Sequence, residues 1–381
     1  MSIKLQINGN EIQIPNGASV LDAINASGTY ISQLCKDPDM KAIGACRTCL
    51  VEIEGIRGLP ASCSIPATDD MQVWTETAKA RGVRGGVLDL TSGMVKTTNN
   101  RSSVQQKSHK ELTVAAKQHH LDGSRWEGRA RQPVDESNPI FNIAMDDCIL
   151  CGRCAQACQD GHQFIGAIDL LGSGRSTRIG TFMDRPLLES VCTTCGQCLS
   201  VCPTGAIEVK SPGLKAVKTI TTTCPYCGVG CGIKAGVDET DRIIEMLDDP
   251  ENQSSVGMLC VKGRFGYTFV HHQDRLTTPL VRRNGKLEPA SWDDTLDYVA
   301  KRLIEHRGDS FATLCSAKAT NEDGYLQQKF SRAIMQSNHI DHCTRLCHSP
   351  SVEAMLVALG SGATSNSYID YEEAGCLVII G

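Results

Sequence analysis

Two four-cysteine runs constrain this chain more than anything else in it: Cys148-x2-Cys151-x2-Cys154-x3-Cys158, and Cys192-x2-Cys195-x2-Cys198-x3-Cys202 with Pro203 behind it. With 20 cysteines in 381 residues, three further cysteines at prescribed offsets arise by chance roughly once in 7,000 starts, and here the pattern occurs twice. In such runs the first three thiolates each hold a corner of a [4Fe–4S] cube, and the fourth reaches across to the other cube. The spacing therefore assigns Cys148, Cys151, Cys154 and Cys202 to one cube, and Cys192, Cys195, Cys198 and Cys158 to the other. A zinc ribbon would use cysteine pairs with longer gaps between them. The stretch reads as an electron wire.

Cysteine usage also bears on the compartment. The N-terminus shows no apolar signal core and no twin-arginine motif, and no apolar run approaches the length of a membrane span. So many thiols without a secretory signal point to metal ligands in a reducing cytoplasm rather than to disulfides. A net charge of −5, with no basic run, gives no reason to expect nucleic acid.

Read in order, the chain divides into five segments. Residues 1–78 open with alternating apolar residues at 3–7 and 11–14 around Asn8-Gly9-Asn10, a hairpin signal. Ser19 then caps a short helix that has Asp22 at its third position and Gly28 as its stop. Cys35, Cys46, Cys49 and Cys63 follow, with Gly44 in the loop and a strand expected at Leu50–Glu54. Plant ferredoxins share the tight second pair but have four residues in the first gap. The segment reads as a β-grasp [2Fe–2S] domain. Residues 79–137 hold no cysteine and read as a helical linker, with a helical tract near Lys110–His120 and a loose Arg125–Pro139 segment; His109, His119 and His120 read as solvated helix surface. Residues 138–212 are the two-cluster ferredoxin domain, which the chain leaves after Ser211-Pro-Gly.

Residues 217–274 bring a third thiolate set, Cys224, Cys227, Cys231 and Cys260, for another [4Fe–4S] cluster. Gly228, Gly230 and Gly232 suit tight turns there, a short β excursion covers Ile233–Val237 and Arg242–Met246, and Lys262 stands two residues past the last cysteine. From 275 to 381 the pattern is α/β. Ser291 caps Trp292–His306, with an apolar face of Leu296, Val299, Ala300, Leu303 and Ile304 and with Gly308 as its stop. A buried strand is expected at Phe311–Ser316, helices at Glu322–Met335 and Val352–Leu359, and an apolar strand at Cys376–Ile380 that ends where a βα turn should begin. Cys315, Cys343 and Cys376 read as buried apolar thiols. The fold class is thus multidomain α+β and α/β, with the last domain cut short.

At Thr222-Thr-Cys-Pro-Tyr-Cys-Gly-Val-Gly-Cys and Arg345-Leu-Cys-His-Ser-Pro-Ser-Val the chain resembles the molybdenum or tungsten formate dehydrogenases, specifically the N-terminal part of their cytoplasmic large subunit. The resemblance covers nearly the whole chain. It implies a metal carrying two molybdopterin guanine dinucleotides, with Cys347 as its ligand and His348 as the adjacent proton handler. Lys262 would bridge the third cluster and the pterin. The loop Ala319-Thr320-Asn321-Glu322-Asp323 would contact a guanine dinucleotide. A thiolate is a soft ligand suited to such a metal, and a histidine titrates near neutrality.

The implied activity is formate oxidation to CO2, or its reversal, with electrons passing to an acceptor such as NAD on a flavin-bearing partner, since no nucleotide fingerprint appears in this chain. Two alternatives stand beside it: a non-catalytic electron-transfer subunit related to respiratory NADH dehydrogenase, and a nitrate reductase. Cys347, His348 and Lys262 favour the enzyme, because a pure relay needs none of them. Related subunits usually carry a His-x3-Cys-x2-Cys-x5-Cys cluster between the first two modules. This chain has no cysteine there, which leaves open how electrons reach the [2Fe–2S] site. The family's catalytic domain also runs far past residue 381, so this chain by itself is expected to carry electrons without turning over formate.

Overall fold

The computed structural model describes residues 2–95, 107–126, 128, 135–210 and 216–380. They form two compact units, Met1–Gln273 and Asp274–Gly381.

The first unit begins with strands β1 (Ser2–Ile7) and β2 (Asn10–Pro15). Asn8 and Gly9 join them with positive φ at both turn positions, 52° and 84°, which matches the twist of an antiparallel hairpin. Helix α1 (Val20–Ala26) starts at a capping box in which Ser19 and Asp22 bond each other's backbone. Strands β3 (Glu52–Ile53) and β4 (Gln72–Trp74) complete a sheet of order β2-β1-β4-β3, with β1 and β4 parallel. Val20, Leu21 and Ile24 of α1 pack on Leu5, Ile7, Val51, Ile53 and Val73, the helix-on-sheet core of a β-grasp fold. The strand expected at Leu50–Glu54 is shorter than the pattern implied. Leu50 makes only an isolated bridge to Ala61, because the chain there turns around Cys49 and Cys63.

The cysteine-free segment is more ordered than a linker. Helix α2 (Ala78–Ser92), capped by Thr77, pairs with α3 (Lys107–Gln118). Leu88, Leu112 and Ala115 from this pair share a buried cluster with Leu34, Cys35, Ile149 and Cys151. The expectation of solvated histidines fails at His119. It is half-buried, with Nδ1 3.4 Å from where a Cβ on Gly85 would stand, and burial draws its pKa below the usual value. His120 is exposed, the side chain of His109 lies outside the described residues, and so does most of the segment 127–134.

The next module contains β5 (Phe141–Ile143), α4 (Arg153–Gln156), β6 (Asp169–Leu171), β7 (Arg178–Gly180), α5 (Gln197–Ser200) and β8 (Ile207–Val209). β5 pairs with β8 and β6 with β7, both antiparallel. The two cysteine runs repeat each other in backbone as well as in sequence. Leu150 and Thr194 have φ of 55° and 58°, Gly152 and Gly196 have 82° and 78°, and each glycine opens a short helix carrying the third cysteine. The exit at 211–215 lies outside the described residues.

A three-stranded sheet follows, β9 (Lys218–Thr223), β10 (Gly232–Val237) and β11 (Ile243–Asp248), in the order β11-β10-β9. β9 had no sequence signal beyond threonine alternation. Gly232 is strand rather than turn, paired with Thr223, and a Cβ there would stand 2.5 Å from Asn252 Cβ, whereas Gly230 has the positive φ (70°) expected of a turn glycine. Helix α6 (Val261–Phe265) begins at Cys260.

The second unit holds the hairpin β12 (Leu280–Arg283) and β13 (Lys286–Pro289), then α7 (Trp292–Glu305), β14 (Thr313–Cys315), α8 (Asn321–Lys329), β15 (Ile340–His342), α9 (Thr344–Cys347), α10 (Ser349–Leu359) and α11 (Tyr368–Glu373). β14 and β15 are parallel. Several burial expectations are corrected here. Leu314 in the supposedly buried strand is 79% exposed, and the apolar face of α7 (Leu296, Val299, Ile304) is exposed too. Cys315 is half-buried, and Cys343 and Cys376 are exposed. The segment Cys376–Ile380 forms no strand among the described residues, and Ile380 is 93% exposed. Amphipathic pattern marks a face for burial, but burial needs a second layer over that face, and a strand needs a neighbour to bond. The helix expected to run to Met335 leaves α geometry at Phe330 and continues as a wider π-type turn, Phe330–Ile334.

Candidate metal centres

In the first module, two thiol pairs meet. Cys35 and Cys46 hydrogen-bond each other, as do Cys49 and Cys63. The bond from Cys35 draws the Cys46 thiol down to about 6, with Thr48 Oγ1 3.1 Å away adding to it. The bond from Cys49 likewise brings Cys63 to about 6, while the donors Cys35 and Cys49 are pushed up. Gly44 sits in the loop at a φ of 70°, and a Cβ there would stand 2.9 Å from Ser64 Oγ. Two pairs of sulfurs, each drawn together, suit a centre with two metals.

The two-cluster module has two apolar cavities. One is lined by Cys158, Cys192, Cys195 and Cys198, with Phe141, Ile165, Ile168 and Leu187 among its walls. The other is lined by Cys148, Cys151, Cys154 and Cys202, with Ile143, Ile149, Ile179 and Ile207 around them. The fold thus carries the fourth cysteine of each run to the other run's cavity. Backbone N–H groups already point at sulfur: Leu150 N to Cys148 Sγ (3.3 Å), Thr194 N to Cys192 Sγ (3.4 Å) and Ala167 N to Cys158 Sγ (3.2 Å). Burial pushes the Cys151 thiol up to about 12, and Cys154 and Cys198 well above their ordinary value. An apolar cage that opposes four bare thiolates is stable as a thiolate site only with a compensating cation, which iron supplies.

Cys224, Cys227, Cys231 and Cys260 are near enough for charge on the other three to raise Cys231, after burial. Cys224 N donates to Cys231 O (2.9 Å), and Gly263 in α6 leaves room beside Cys224, whose Sγ would lie 3.6 Å from a Cβ there. Lys262, one residue before that glycine, is exposed.

Sequence reading missed three polar residues that tie these modules together. Arg153, 4% exposed, donates Nη2 to Asp37 Oδ2 (3.0 Å) and Nη1 to Glu111 Oε2 (2.6 Å). Gln197 donates Nε2 to Leu259 O (3.0 Å), next to Cys260. Arg264, 3% exposed, reaches Asp248 at 3.5 Å, while its Nε and Nη2 have no partner among the described residues; burial pulls its pKa down. Arg153 Nε is also without a partner. Arg264 Nε lies 3.0 Å from where a Cβ on Gly196, in the wall of one four-thiol cavity, would stand, and a buried N–H there fits a cluster whose sulfurs would accept it. The signal was available: Arg153 and Gln197 each directly precede the third cysteine of their run.

In the second unit, the parallel pairing of β14 and β15 puts the segments after both strands at one sheet end, where open α/β sheets bind ligands. Thr320, exposed, caps α8 in a capping box with Asp323, so Asn321 and Glu322 form the first turn. Cys343 N donates to Cys315 O (3.1 Å) and Ala317 N to Cys343 Sγ (3.2 Å), which ties the two loops together. Cys347 ends α9 and His348 leads into α10, both exposed.

Comparison with known proteins decides the family. The model of the 2Fe-2S iron-sulfur cluster binding domain matches residues 1–78, and that of the 4Fe-4S dicluster domain matches 142–209. The molybdopterin oxidoreductase Fe4S4 domain matches 217–272, and the molybdopterin oxidoreductase model matches 275–381. The chain belongs to the molybdopterin oxidoreductase family. It is 30% identical, over 98% of its length, to a Staphylococcus haemolyticus protein named "Putative formate dehydrogenase". It is 28% identical over 98% to one of the same name in Staphylococcus aureus (strain MRSA252), and 29% identical over 99% to "Probable oxidoreductase YjgC" of Bacillus subtilis. It spans 42% of the length of each of these curated relatives. A crystal structure of NAD+-reducing [NiFe]-hydrogenase in the H2-reduced state aligns at TM-score 0.48 and 26% identity, covering 56% of this chain and 89% of that one. The chain thus carries one 2Fe-2S domain, one 4Fe-4S dicluster domain and the Fe4S4 and molybdopterin domains of the molybdopterin oxidoreductases. None of its described helices is long and apolar enough to cross a membrane.

Proposed function

We propose that the protein is the relay and the beginning of the catalytic domain of a formate dehydrogenase, which passes electrons from formate through iron–sulfur centres to an acceptor such as NAD on a partner subunit. The observation that carries this reading is the Cys347-His348 pair on the segment after β15, at the same sheet end as the Thr320-capped helix. A relay alone has no use for either feature.

In this reading Cys35 and Cys46 hold one iron of a [2Fe–2S] centre, and Cys49 and Cys63 hold the other. Cys148, Cys151, Cys154 and Cys202 hold one cube, and Cys158, Cys192, Cys195 and Cys198 a second. Cys224, Cys227, Cys231 and Cys260 hold a third. Cys347 ligates molybdenum or tungsten, and bound pterin and metal supply the two-electron chemistry. His348 takes the proton that formate oxidation releases. Thr320, Asn321 and Glu322 present a helix start to a guanine dinucleotide, and Lys262, two residues past Cys260, is the cation that serves electron exchange at the third cube. Anaerobic reconstitution should give about 14 iron atoms per chain, from one two-iron and three four-iron sets. The intact enzyme, loaded with its metal, should reduce a dye with formate. Zinc in place of iron, or reduction of nitrate without formate oxidation, would overturn the assignment.

A further inference from the structure

The contact between the first module and the cavity of Cys148, Cys151, Cys154 and Cys202 is unusually close for two separate domains. Cys35 and Cys151 lie in one buried apolar cluster, and Cys46 packs against it. Around them the loop 36–46 interlocks with α4 and its surroundings. Gly152 stands where a Cβ would touch Ile43 Cδ1 at 3.4 Å, and Gly161 where one would meet Met40 Sδ at 2.5 Å. Gln156 Nε2 donates to Lys41 O (3.0 Å). At the centre Arg153 is buried, with one guanidinium nitrogen on Asp37, another on Glu111 and its Nε–H without a partner among the described residues.

Position 153 also has a counterpart. Arg153 and Gln197 occupy the same place in the two halves of the repeat, each following a left-handed glycine and opening the short helix that carries the third cysteine. Each reaches outward to a neighbouring module, Arg153 to Asp37 two residues past Cys35, and Gln197 to Leu259 O one residue before Cys260. The pseudo-symmetric core therefore docks one module at each end through the same position.

We propose that this docking makes a direct electron-transfer junction between the Cys35–Cys46 edge and the Cys151 edge, with Arg153 as the positioning residue that holds the two together. The inference rests on the cluster assignment proposed above. One electron leaves the reduced centre on the Cys151 side and enters the oxidised centre on the Cys35 side, with no proton and no intermediate site. A cluster in the cysteine-free segment is then unnecessary: α2 and α3 fill that space and clamp the junction through Glu111. A fixed cation and an N–H donor both favour the more negative, reduced state of the centre they face.

The test is EPR on the anaerobically reconstituted 381-residue chain poised at stepped potentials. In the unaltered chain, the microwave power that half-saturates the [2Fe–2S] signal should rise when the four-iron centres become reduced, because a nearby paramagnet speeds relaxation. Arg153→Met should abolish that rise or lower the four-iron midpoint, reading as about a tenfold drop in the reduced-to-oxidised ratio at fixed potential, or about 59 mV for one electron. Arg153→Lys keeps the charge without the Nε–H and fork, so it should fall between, and decides the matter if Arg153→Met fails to retain iron. Arg175→Met, at an exposed arginine of the same module, should change nothing. Both signals present but relaxing independently in the unaltered chain would overturn the junction. Midpoints and relaxation unchanged in both Arg153 variants would overturn the role of Arg153. No [2Fe–2S] signal at all would instead overturn the underlying cluster assignment.

Discussion

The side chain of Arg264 lies directly over the backbone of Gly196, so that a Cβ on that glycine would stand 2.6 Å from Arg264 Cδ and 2.8 Å from Phe265 Cζ. Gly196 also has a φ of 78°, a conformation that costs an L-residue roughly 1–2 kcal/mol. Gly196→Ala should therefore do more than strain a loop, because it pushes α6 away from the Cys195–Cys198 turn. We expect it to lose about four iron atoms per chain, the content of one cube. Gly166→Ala is the control: its φ is 64°, but nothing lies within 4 Å of the added carbon. Equal iron loss in both variants would show that backbone strain, rather than contact with Arg264, is responsible.

Arg84 should matter to stability although it is not one of the proposed metal ligands. Its Nη1 donates to Leu50 O (3.0 Å) and Thr75 O (2.6 Å), and its Nη2 to Glu76 Oε1 (3.1 Å), which fastens α2 to the first module. Arg84→Met leaves two carbonyls without this donor, and we expect a loss of about 2–4 kcal/mol in urea unfolding at unchanged iron content. A change below about 0.5 kcal/mol would place Arg84 among neutral surface substitutions.

In the metal-free chain the first module should show an asymmetry in thiol chemistry. The Cys46 thiol, held near 6 by the bond from Cys35, is mostly thiolate at pH 7.5, while Cys35 stays protonated. Because the folded value is depressed, this thiolate is lost as pH falls through about 6. Alkylation mapped by mass spectrometry should label Cys46 before Cys35, with a rate that halves near that pH. Equal labelling, or a midpoint near the ordinary thiol value of about 8.5, would mean the pair does not form in solution.

Cys347→Ala in the intact enzyme should abolish formate-dependent dye reduction and leave every iron–sulfur EPR signal in place. Cys151→Ala should do the reverse in kind, removing a four-iron signal and slowing transfer to the acceptor while the metal centre still forms. Near-normal turnover in Cys347→Ala would end the proposed ligand role.

The sequence by itself determined the covalent side of this protein. Cysteine offsets, capping pairs such as Ser19 with Asp22, and the Asn8-Gly9 turn are local, and local chemistry is readable one residue at a time. The placing of Cys158 and Cys202 beside the opposite runs could be expected too, from the pattern of two-cluster ferredoxins, in which the fourth cysteine of each run crosses to the other cube. The tertiary structure alone decided which modules touch. Nothing in the spacing of Asp37, Glu111 and Arg153 announces that they meet, since they are brought together by the packing of Leu34, Leu88 and Ile149 over long stretches of chain. Burial in the second unit was misread for the same reason. The pattern in Leu296, Val299 and Ile304 names a face that water disfavours, but only a neighbouring layer can remove that face from water, and among the described residues of that unit only Val281, Ser331, Met335 and Ser337 are buried.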